Sequence, residues 1–413
     1  MGRWLACFVL ASAFISSSAL AEPFRERDAV RGICRAGLAH AVAKARQAQG
    51  EAEVAASQVL PNPSLVVEHQ RSLSGSSEHE TVAGVSLPLG IGGRRWLLQD
   101  AAQARRQQAT HEARAGLFEA ALSFREAYVA AAVAQARVAV LTGNQGDLDR
   151  LTATLQKLAK GGEAAGYDQL RQATAARVHR QSLESARAAA SSRRIALQAW
   201  LDRDVTLPSD ALATLVAGQG GRNDGLADAP QVQGLEAGAR ADELEARAAR
   251  RRAVPDLALF AGYRTVAAGG ETGHGISLSF EAPITLFDRG QGDALRATSD
   301  AKLARASAQR LRKHLDSAAR AARTSLELLE ARVAEVQATS RDALTVRDKA
   351  IQLYAAGEAN ITELLEAYRA AEEAQLAELA FTELLALTRL QLMQASGSMF
   401  DVELDRDCRV VTP

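Results

Sequence analysis

The chain has 413 residues, of which 47% are hydrophobic, only 4% aromatic and 24% charged. Its 49 basic and 49 acidic residues leave no net charge, which argues against a nucleic-acid-binding protein. Much of the apolar content is alanine in long runs without proline, which predicts long, closely packed helices and argues against an enzyme.

The first 21 residues have the pattern of a secretory signal peptide. Arg3 precedes an apolar stretch, and Ala19-Leu20-Ala21 matches a cleavage site, so we expect the mature chain to begin at Glu22. An uncleaved anchor helix is the alternative, and it is disfavoured because the apolar stretch is short. Later in the chain no apolar stretch approaches about 18 residues, so the sequence predicts no membrane-spanning helix.

Two sequence landmarks recur along the chain with the same offset. Pro88 corresponds to Pro283 at the end of a strand-like stretch, and the Gly-Glu-Ala motif at 162–164 corresponds to the same motif at 357–359. A constant offset indicates an internal duplication. We therefore predict two repeats, residues 22–228 and 229–413.

Each repeat is predicted to contain a helix, a pair of antiparallel strands and a long helical hairpin. In the first repeat these are a helix at about 27–58, strands at about 63–72 and 81–89, the hairpin 92–201 and a linker 202–228. In the second they are a helix at about 229–252, strands at about 256–265 and 274–283, the hairpin 288–398 and a C-terminal tail. Loops rich in serine and glycine are expected at 73–80 and 267–272.

The first helix of each hairpin is predicted to be unusually long. Residues 92–158 and 288–354 contain no proline, and a continuous helix of that length would extend about 100 Å. Gly143 and Gly146 weaken the first of these helices by about 1 kcal/mol each relative to alanine, so either a continuous or a broken helix is compatible with the sequence.

The strands alternate between apolar and polar residues, most clearly around Ile276. One apolar and one polar face suit a half-buried sheet, or equally a barrel wall with lipid outside and water inside. The residues that we expect to face lipid are Leu65, Val67, Val85, Ile276, Leu278 and Phe280.

Two cysteines follow the predicted signal peptide. The rise along the helices places Cys34 and Cys408 at a similar distance, roughly 40 Å, below the strands. Since an exported protein meets an oxidising compartment, we predict a Cys34–Cys408 disulfide, with two free thiols as the alternative.

Residue patterns of catalytic, metal or cofactor sites are not evident. The 7 histidines have no metal-ligand spacing and form no cluster with cysteine. The stretch Gly90 to Gly93 follows a strand and opens a helix, but it lacks the lysine and the βαβ context of a phosphate-binding loop. We therefore expect no catalytic residue, no bound metal and no cofactor.

Taken together, these features resemble the TolC-type outer-membrane efflux proteins. The resemblance covers nearly the whole mature chain and rests on the duplicated strand–proline–arginine element and on Gly357 followed by Glu363-Leu-Leu-Glu366. Pro61-Asn-Pro63, Gly92-Gly-Arg-Arg95 and Leu286 to Gly292 are similar to the heavy-metal branch, the cobalt–zinc–cadmium type.

The resemblance implies a mainly α fold with β, assembled as a homotrimer. Each subunit would give four strands to a twelve-stranded barrel in outer-membrane lipid and its helices to a tunnel in the periplasm. The implied partners are a periplasmic adaptor and a proton-driven inner-membrane pump. The implied function is export of heavy-metal cations. A multidrug channel, a type I protein-secretion channel and a periplasmic coiled-coil adaptor without a pore are the alternatives.

The same resemblance implies roles for residues at the hairpin tips. Glu363 and Glu366 would form a cation-attracting acidic ring at the periplasmic entrance. Alternatively, these acids only stabilise the start of the return helix. In the first repeat Asp168 aligns with Glu363 but Arg171 replaces the second acid, so that hairpin is expected to serve adaptor docking. The expected docking residues are Gly162, Ala164, Asp168, Gly357 and Ala359.

Overall fold

The structure is a computed structural model that describes residues 26–73, 78–160, 166–201, 206–208, 211 and 229–397. It is mainly helical with one small antiparallel sheet, as the sequence predicts. The predicted signal peptide, Gly162, Ala164, most of the predicted linker and Cys408 lie outside the described residues.

The helices and strands follow the order of the two repeats. The first repeat contains α1 (Glu26–Ala36), α2 (Leu38–Gln58), β1 (Ser64–Arg71), β2 (His79–Leu89), α3 (Arg94–Lys160) and α4 (Gly166–Gln198). The second contains α5 (Pro230–Arg250), β3 (Leu257–Ala268), β4 (Glu271–Glu281), α6 (Gln291–Glu330), α7 (Val333–Ala355) and α8 (Ile361–Ser396). None of the helices in the described part of the chain combines the length and the apolar character needed to span a bilayer.

The N-terminal helix is broken, which corrects the prediction of one helix over 27–58. Gly37 has an extended backbone between α1 and α2, with φ −79° and ψ 175°. His40 donates a hydrogen bond from Nδ1 to the carbonyl of Cys34 at 2.7 Å and so satisfies one carbonyl at the end of α1. The break therefore replaces helical hydrogen bonds with a side-chain partner.

The two long helices behave differently from each other. α3 is continuous over 67 residues and passes through Gly143 and Gly146 without a break, so it extends about 100 Å. The prediction of an equally continuous helix over 288–354 is wrong, because Ala331 and Arg332 separate α6 from α7. There the last turn of α6 tightens, with Arg332 N–H donating to the carbonyl of Leu329 at 2.9 Å. Arg332 then pairs with Glu335 of α7 at 2.7 Å.

The four strands form one antiparallel sheet in the order β1-β2-β3-β4. The predicted loop at 267–272 is shorter than expected, since β3 continues to Ala268 and β4 begins at Glu271. Gly269 and Gly270 form the two-residue turn with φ of 62° and 94°, a conformation that glycine adopts without strain. The strands therefore extend farther from the helices than the sequence indicates.

The helices pack mainly through alanine, with a few large side chains at their centre. Val30 and Cys34 of α1 lie against Phe124 and Tyr128 of α3, all nearly inaccessible to solvent. Leu390 of α8 belongs to the same cluster, so both repeats share one core. Because α3 starts a few residues after β2 and ends at the first hairpin turn, the sheet lies near one end of α3 and the hairpin tips near the other.

Candidate functional site

One face of the sheet is an exposed apolar surface, which we call the outer face. Residues paired across antiparallel strands point to the same side, and Leu65, Val85, Ala261 and Leu278 form one such row. The next row toward the strand turns is Val67, Ala83, Tyr263 and Ile276, and the row toward the helices is Leu87, Leu259 and Phe280.

All six residues predicted to face lipid lie on this outer face. Their exposed fractions range from 47% at Val85 to 81% at Ile276. A contiguous apolar surface exposed on a folded chain marks an interaction surface. Contact with lipid itself stays a prediction.

The opposite side of the sheet, the inner face, is more polar and contains an unexpected aromatic contact. Arg264 pairs with Glu80 at 2.8 Å across β3 and β2. Phe260 lies over Gly84 and Gly262, and a Cβ added to either glycine would lie 2.7 or 2.6 Å from the Cζ atom of the ring. Because real Cβ atoms do not approach so closely, only glycine fits beneath this ring.

The sheet is open at both sides. Within the described residues β1 is hydrogen-bonded to β2 alone, and β4 to β3 alone. Each of these edge strands therefore presents backbone groups that another strand can pair with.

At the far end of α3, the tip of the second hairpin is a compact turn. The Gly357 N–H donates to the Tyr354 carbonyl at 3.1 Å and the Glu358 N–H donates to the Leu353 carbonyl at 2.9 Å. These two hydrogen bonds end α7 as a Schellman motif, which requires the left-handed backbone of Gly357, with φ 76°. Gly357 is exposed and Ala359 half-buried, as expected for a surface turn.

Glu363 takes part in capping the start of α8. Its backbone N–H donates to Oδ1 of Asn360 at 3.0 Å, and its Oε2 accepts from the Asn360 N–H at 3.3 Å. This reciprocal arrangement is a capping box. Glu363 thus has the helix-start role that the sequence left open as an alternative.

Glu366 lies one turn farther along α8 and is exposed. It lines a groove between α4 and α8 together with Tyr167, Leu170, Arg171 and Arg369. Glu363 and Glu366 are both exposed, so both carboxylates are accessible at the tip.

Near their tips, the two hairpins are joined in one apolar cluster. Leu148 and Leu155 of α3 pack with Ile361 and Leu364 of α8. Arg171 of α4 donates a hydrogen bond to the Thr362 hydroxyl at 2.8 Å. Asp168, at the start of α4, is half-buried beside this contact region. The predicted docking residues that the structure describes therefore lie within one end of the molecule.

His179 of α4 is a buried polar contact that the sequence analysis missed. Its Nδ1 lies 2.8 Å from Oε2 of Glu372 in α8, and its Nε2 donates to the carbonyl of Leu141 in α3 at 2.8 Å. Both ring nitrogens face acceptors, an arrangement that favours the doubly protonated imidazole. The hydrogen bond to Glu372 raises the pKa of His179, although burial opposes the shift, and the Leu141 carbonyl and Asp149 add to the increase.

A second polar contact joins α7 to α3 near the tip. Arg347 lies 3.2 Å from Oδ2 of Asp147, with its guanidinium carbon 6.0 Å from the centre of the Tyr368 ring. Burial raises the pKa of Tyr368. The sequence signal for these contacts was the polar run from Gly143 to Asp147 inside an alanine-rich helix. This run does not break α3; its side chains contact other helices.

Cys34 lies in the central core and takes part in a disulfide bond. Cys408, its expected partner, lies outside the described residues, so the pairing stays a prediction. Over the described ranges, no three histidine, cysteine or acidic side chains are grouped so that they could hold a metal ion.

This architecture was compared with known proteins. No protein-family model matches the sequence, nor does any curated protein. Among solved structures, the outer membrane protein VceC from Vibrio cholerae has a TM-score of 0.72 and 16% identity, covering 91% of this chain and 97% of that chain. The CmeC outer membrane channel of Campylobacter jejuni has a TM-score of 0.71 and 13% identity, covering 90% and 85% respectively. For CusC, whose crystal structures concern transmembrane channel formation, the TM-score is 0.69 and the identity 16%, with 90% and 92% covered.

The chain has the fold of the TolC-type outer-membrane channels. The fold that the resemblance implied is thereby confirmed. Within this TolC-type fold the residues predicted to face lipid lie on the sheet, and the described residues predicted for the gate and for docking lie at the hairpin tips. The continuous helix α3 separates them by about 100 Å, so residues of the two groups do not meet.

Proposed function

We propose that the chain is one subunit of a homotrimeric outer-membrane channel in a tripartite efflux system that exports heavy-metal cations. The observation that carries the proposal is the sheet, which combines an exposed apolar outer face with two open edge strands. An open sheet edge cannot lie in hydrocarbon. Pairing of β4 in one subunit with β1 in the next, three times over, gives a closed twelve-stranded barrel.

The long helices extend from this barrel into the periplasm. α3 spans about 100 Å, and the tips at its far end meet a periplasmic adaptor, which connects the channel to a proton-driven inner-membrane pump. The adaptor-docking residues in this proposal are Gly162, Ala164, Asp168, Gly357 and Ala359. The exposure of Gly357 and the clustering of both tips support a docking role.

Glu363 and Glu366 form the acidic ring at the entrance in this proposal. Two carboxylates per subunit give six in a trimer, which would attract cations. Because Glu363 also holds the capping box, the freely exposed Glu366 contributes more of the selectivity. The ring is supported by the exposure of both carboxylates and by their spacing on one helix face.

The transported substrate distinguishes the main proposal from its alternatives. The motifs similar to the heavy-metal branch favour metal cations, whereas a multidrug or type I secretion channel would use the same fold. A periplasmic adaptor without a pore is disfavoured because both strand pairs belong to one sheet with an apolar outer face. Deletion of the gene, followed by measurement of growth in the presence of zinc, cobalt, cadmium, copper and hydrophobic drugs, distinguishes metal export from drug export.

Pore formation itself is tested with the purified full-length protein in planar bilayers. We expect stepwise ion conductance from a species that migrates as a trimer in SDS and becomes monomeric on heating. Recovery of the protein in the soluble periplasmic fraction, with no conductance, would contradict the proposed channel.

A further inference from the structure

Charged side chains on the strands are sorted by face. On the outer face, the described strand residues with basic side chains are His69, Arg71, His79 and His274, and none of the described strand residues on that face is an acid. The acids of the strands all lie on the inner face, at Glu68, Glu80, Glu271 and Glu281. Among the charged side chains and histidines of the described strands, the outer face therefore has only basic ones, beside apolar residues, Tyr263 and the threonines Thr81, Thr265 and Thr272.

The basic residues are confined to one end of the outer face. His69 and His274 belong to the row after Val67 and Ile276, and Arg71 and His79 belong to the next row, beside the strand turns. Apolar rows precede them from Leu257 onward, over about 20 Å of strand. That height is similar to the apolar band of about 25 Å in membrane barrels. We call these four residues the basic band.

Each histidine ring of the basic band is stacked on a neighbouring ring. The His69 and His79 rings are 6.0 Å apart at 19°, and the Tyr263 and His274 rings are 5.8 Å apart at 21°. Nδ1 of His69 is 2.9 Å from the Thr81 hydroxyl oxygen, which fixes the orientation of this ring. Arg71, His69 and His274 are exposed and His79 is half-buried, so their donor groups are accessible from outside the sheet.

We propose that the basic band binds the phosphate groups of lipid headgroups at the outer edge of the membrane. This inference rests on the proposed function, since it requires the outer face to lie in lipid. Arginine offers a planar pair of donors that matches phosphate, and imidazole N–H groups add further donors. The absence of acids from the described outer face removes the repulsion that phosphate would meet on the inner face. The band also continues directly from the apolar rows, as a headgroup layer continues from acyl chains.

The test counts lipids bound to the full-length protein by native mass spectrometry after release from detergent. The probes are lipid A with both phosphates and the same lipid after enzymatic dephosphorylation. The test variant replaces all four band residues (R71Q, H69Q, H79Q, H274Q). The matched control is Arg264→Gln, which removes a positive charge from the same sheet on its inner face.

We expect the four-residue variant to bind phosphorylated lipid A at least about tenfold more weakly, with the control unchanged. Arg71→Gln alone, which is a milder change for folding, should weaken binding about fivefold, as expected for one charge beside an anionic headgroup. Equal binding by wild type and variants, or equal binding of both lipids by wild type, would overturn the inference. Conductance measured on the same preparations distinguishes failure of the lipid-binding inference from failure of the channel proposal. Normal conductance with unchanged lipid binding contradicts the band alone, whereas a wild type that never conducts contradicts the channel.

Discussion

His179 of the first hairpin and Glu372 of α8 form a hydrogen-bonded contact, with Nδ1 and Oε2 2.8 Å apart. The same imidazole donates to the Leu141 carbonyl at 2.8 Å, so one buried ring ties α3, α4 and α8 together. A contact of this kind between the two hairpins holds their relative position near the tip. The contact with Glu372 is strongest when the ring is protonated, which is why it raises the pKa of His179.

The contribution of this contact to stability should depend on pH. Because the pKa of His179 is raised in the folded protein, the stabilisation is fully present below its unfolded pKa and is lost as pH rises through the folded pKa. We expect His179→Leu to destabilise by roughly 1 to 3 kcal/mol at pH 6 and by less at pH 9. Thermal unfolding followed by circular dichroism at both pH values measures the difference. A gap that stays constant between them, or an equal effect of the exposed control His314→Gln, would count against the charged contact.

Removal of the α8 cap should loosen the tip locally. Asn360→Ala deletes the acceptor of the Glu363 N–H and should cost about 1 kcal/mol at the helix start. We expect faster hydrogen exchange at the first-turn amides of α8, whereas Ser317→Ala, whose hydroxyl bonds within its own helix, should leave them unchanged. Unaltered exchange in Asn360→Ala would show that the cap does not order this turn.

Charge reversal at the tip should change ion selectivity. Lysine at both Glu363 and Glu366 should lower the ratio of cation to anion permeability, with Glu366→Lys alone producing most of the effect. Reversal potentials of single channels under a salt gradient give this ratio. Glu327→Lys, an exposed acid of α6 far from the tip, is the control. Selectivity that matches wild type in the double variant would exclude the acidic ring.

Gly84 should tolerate no larger residue. A Cβ there would meet the Ala261 carbonyl and the Gly262 Cα of the adjacent strand as well as the Phe260 ring. We expect Gly84→Ala to destabilise the sheet by about 1 to 3 kcal/mol, seen as a lower temperature of trimer dissociation in SDS. Gly275→Ala is the matched control, because nothing lies within 4 Å of a Cβ at that position. Equal dissociation temperatures for both variants would contradict the close contact.

The partner of Cys34 can be identified by alkylation. We expect the mature, unreduced protein to have no reactive thiol after denaturation, and Cys408→Ser to expose one at Cys34. Reaction of both thiols without reductant would rule out the Cys34–Cys408 bond.

The parts of the fold with regular periodicity were predictable from the sequence. Strand alternation located Ile276, Leu278 and Phe280 on the exposed face, and the constant offset between landmarks indicated two similar repeats. Breaks in helices were not predictable in the same way. Glycine propensity drew attention to Gly143 and Gly146, where tertiary packing keeps α3 continuous, whereas the break at Ala331 contains neither glycine nor proline.

The contacts near the hairpin tips could not be predicted from the sequence, for a different reason. His179, Leu141 and Glu372 are far apart along the chain, and only the packing of α3, α4 and α8 brings them together. The helix-start role of Glu363 was foreseen as an alternative, because negative charge is favourable at the start of a helix, whereas its reciprocal pairing with Asn360 was not predicted. Local sequence patterns therefore predicted features at helix ends and turns, whereas contacts between residues far apart in the chain were found only in the structure.

Electron cryomicroscopy of the full-length protein in lipid nanodiscs tests the central claim most directly. We predict threefold particles in which twelve strands close a barrel within the nanodisc, with β1 of one subunit paired to β4 of its neighbour and a helical tunnel of about 100 Å below. Monomeric particles whose four-stranded sheet remains open at both edges would contradict it.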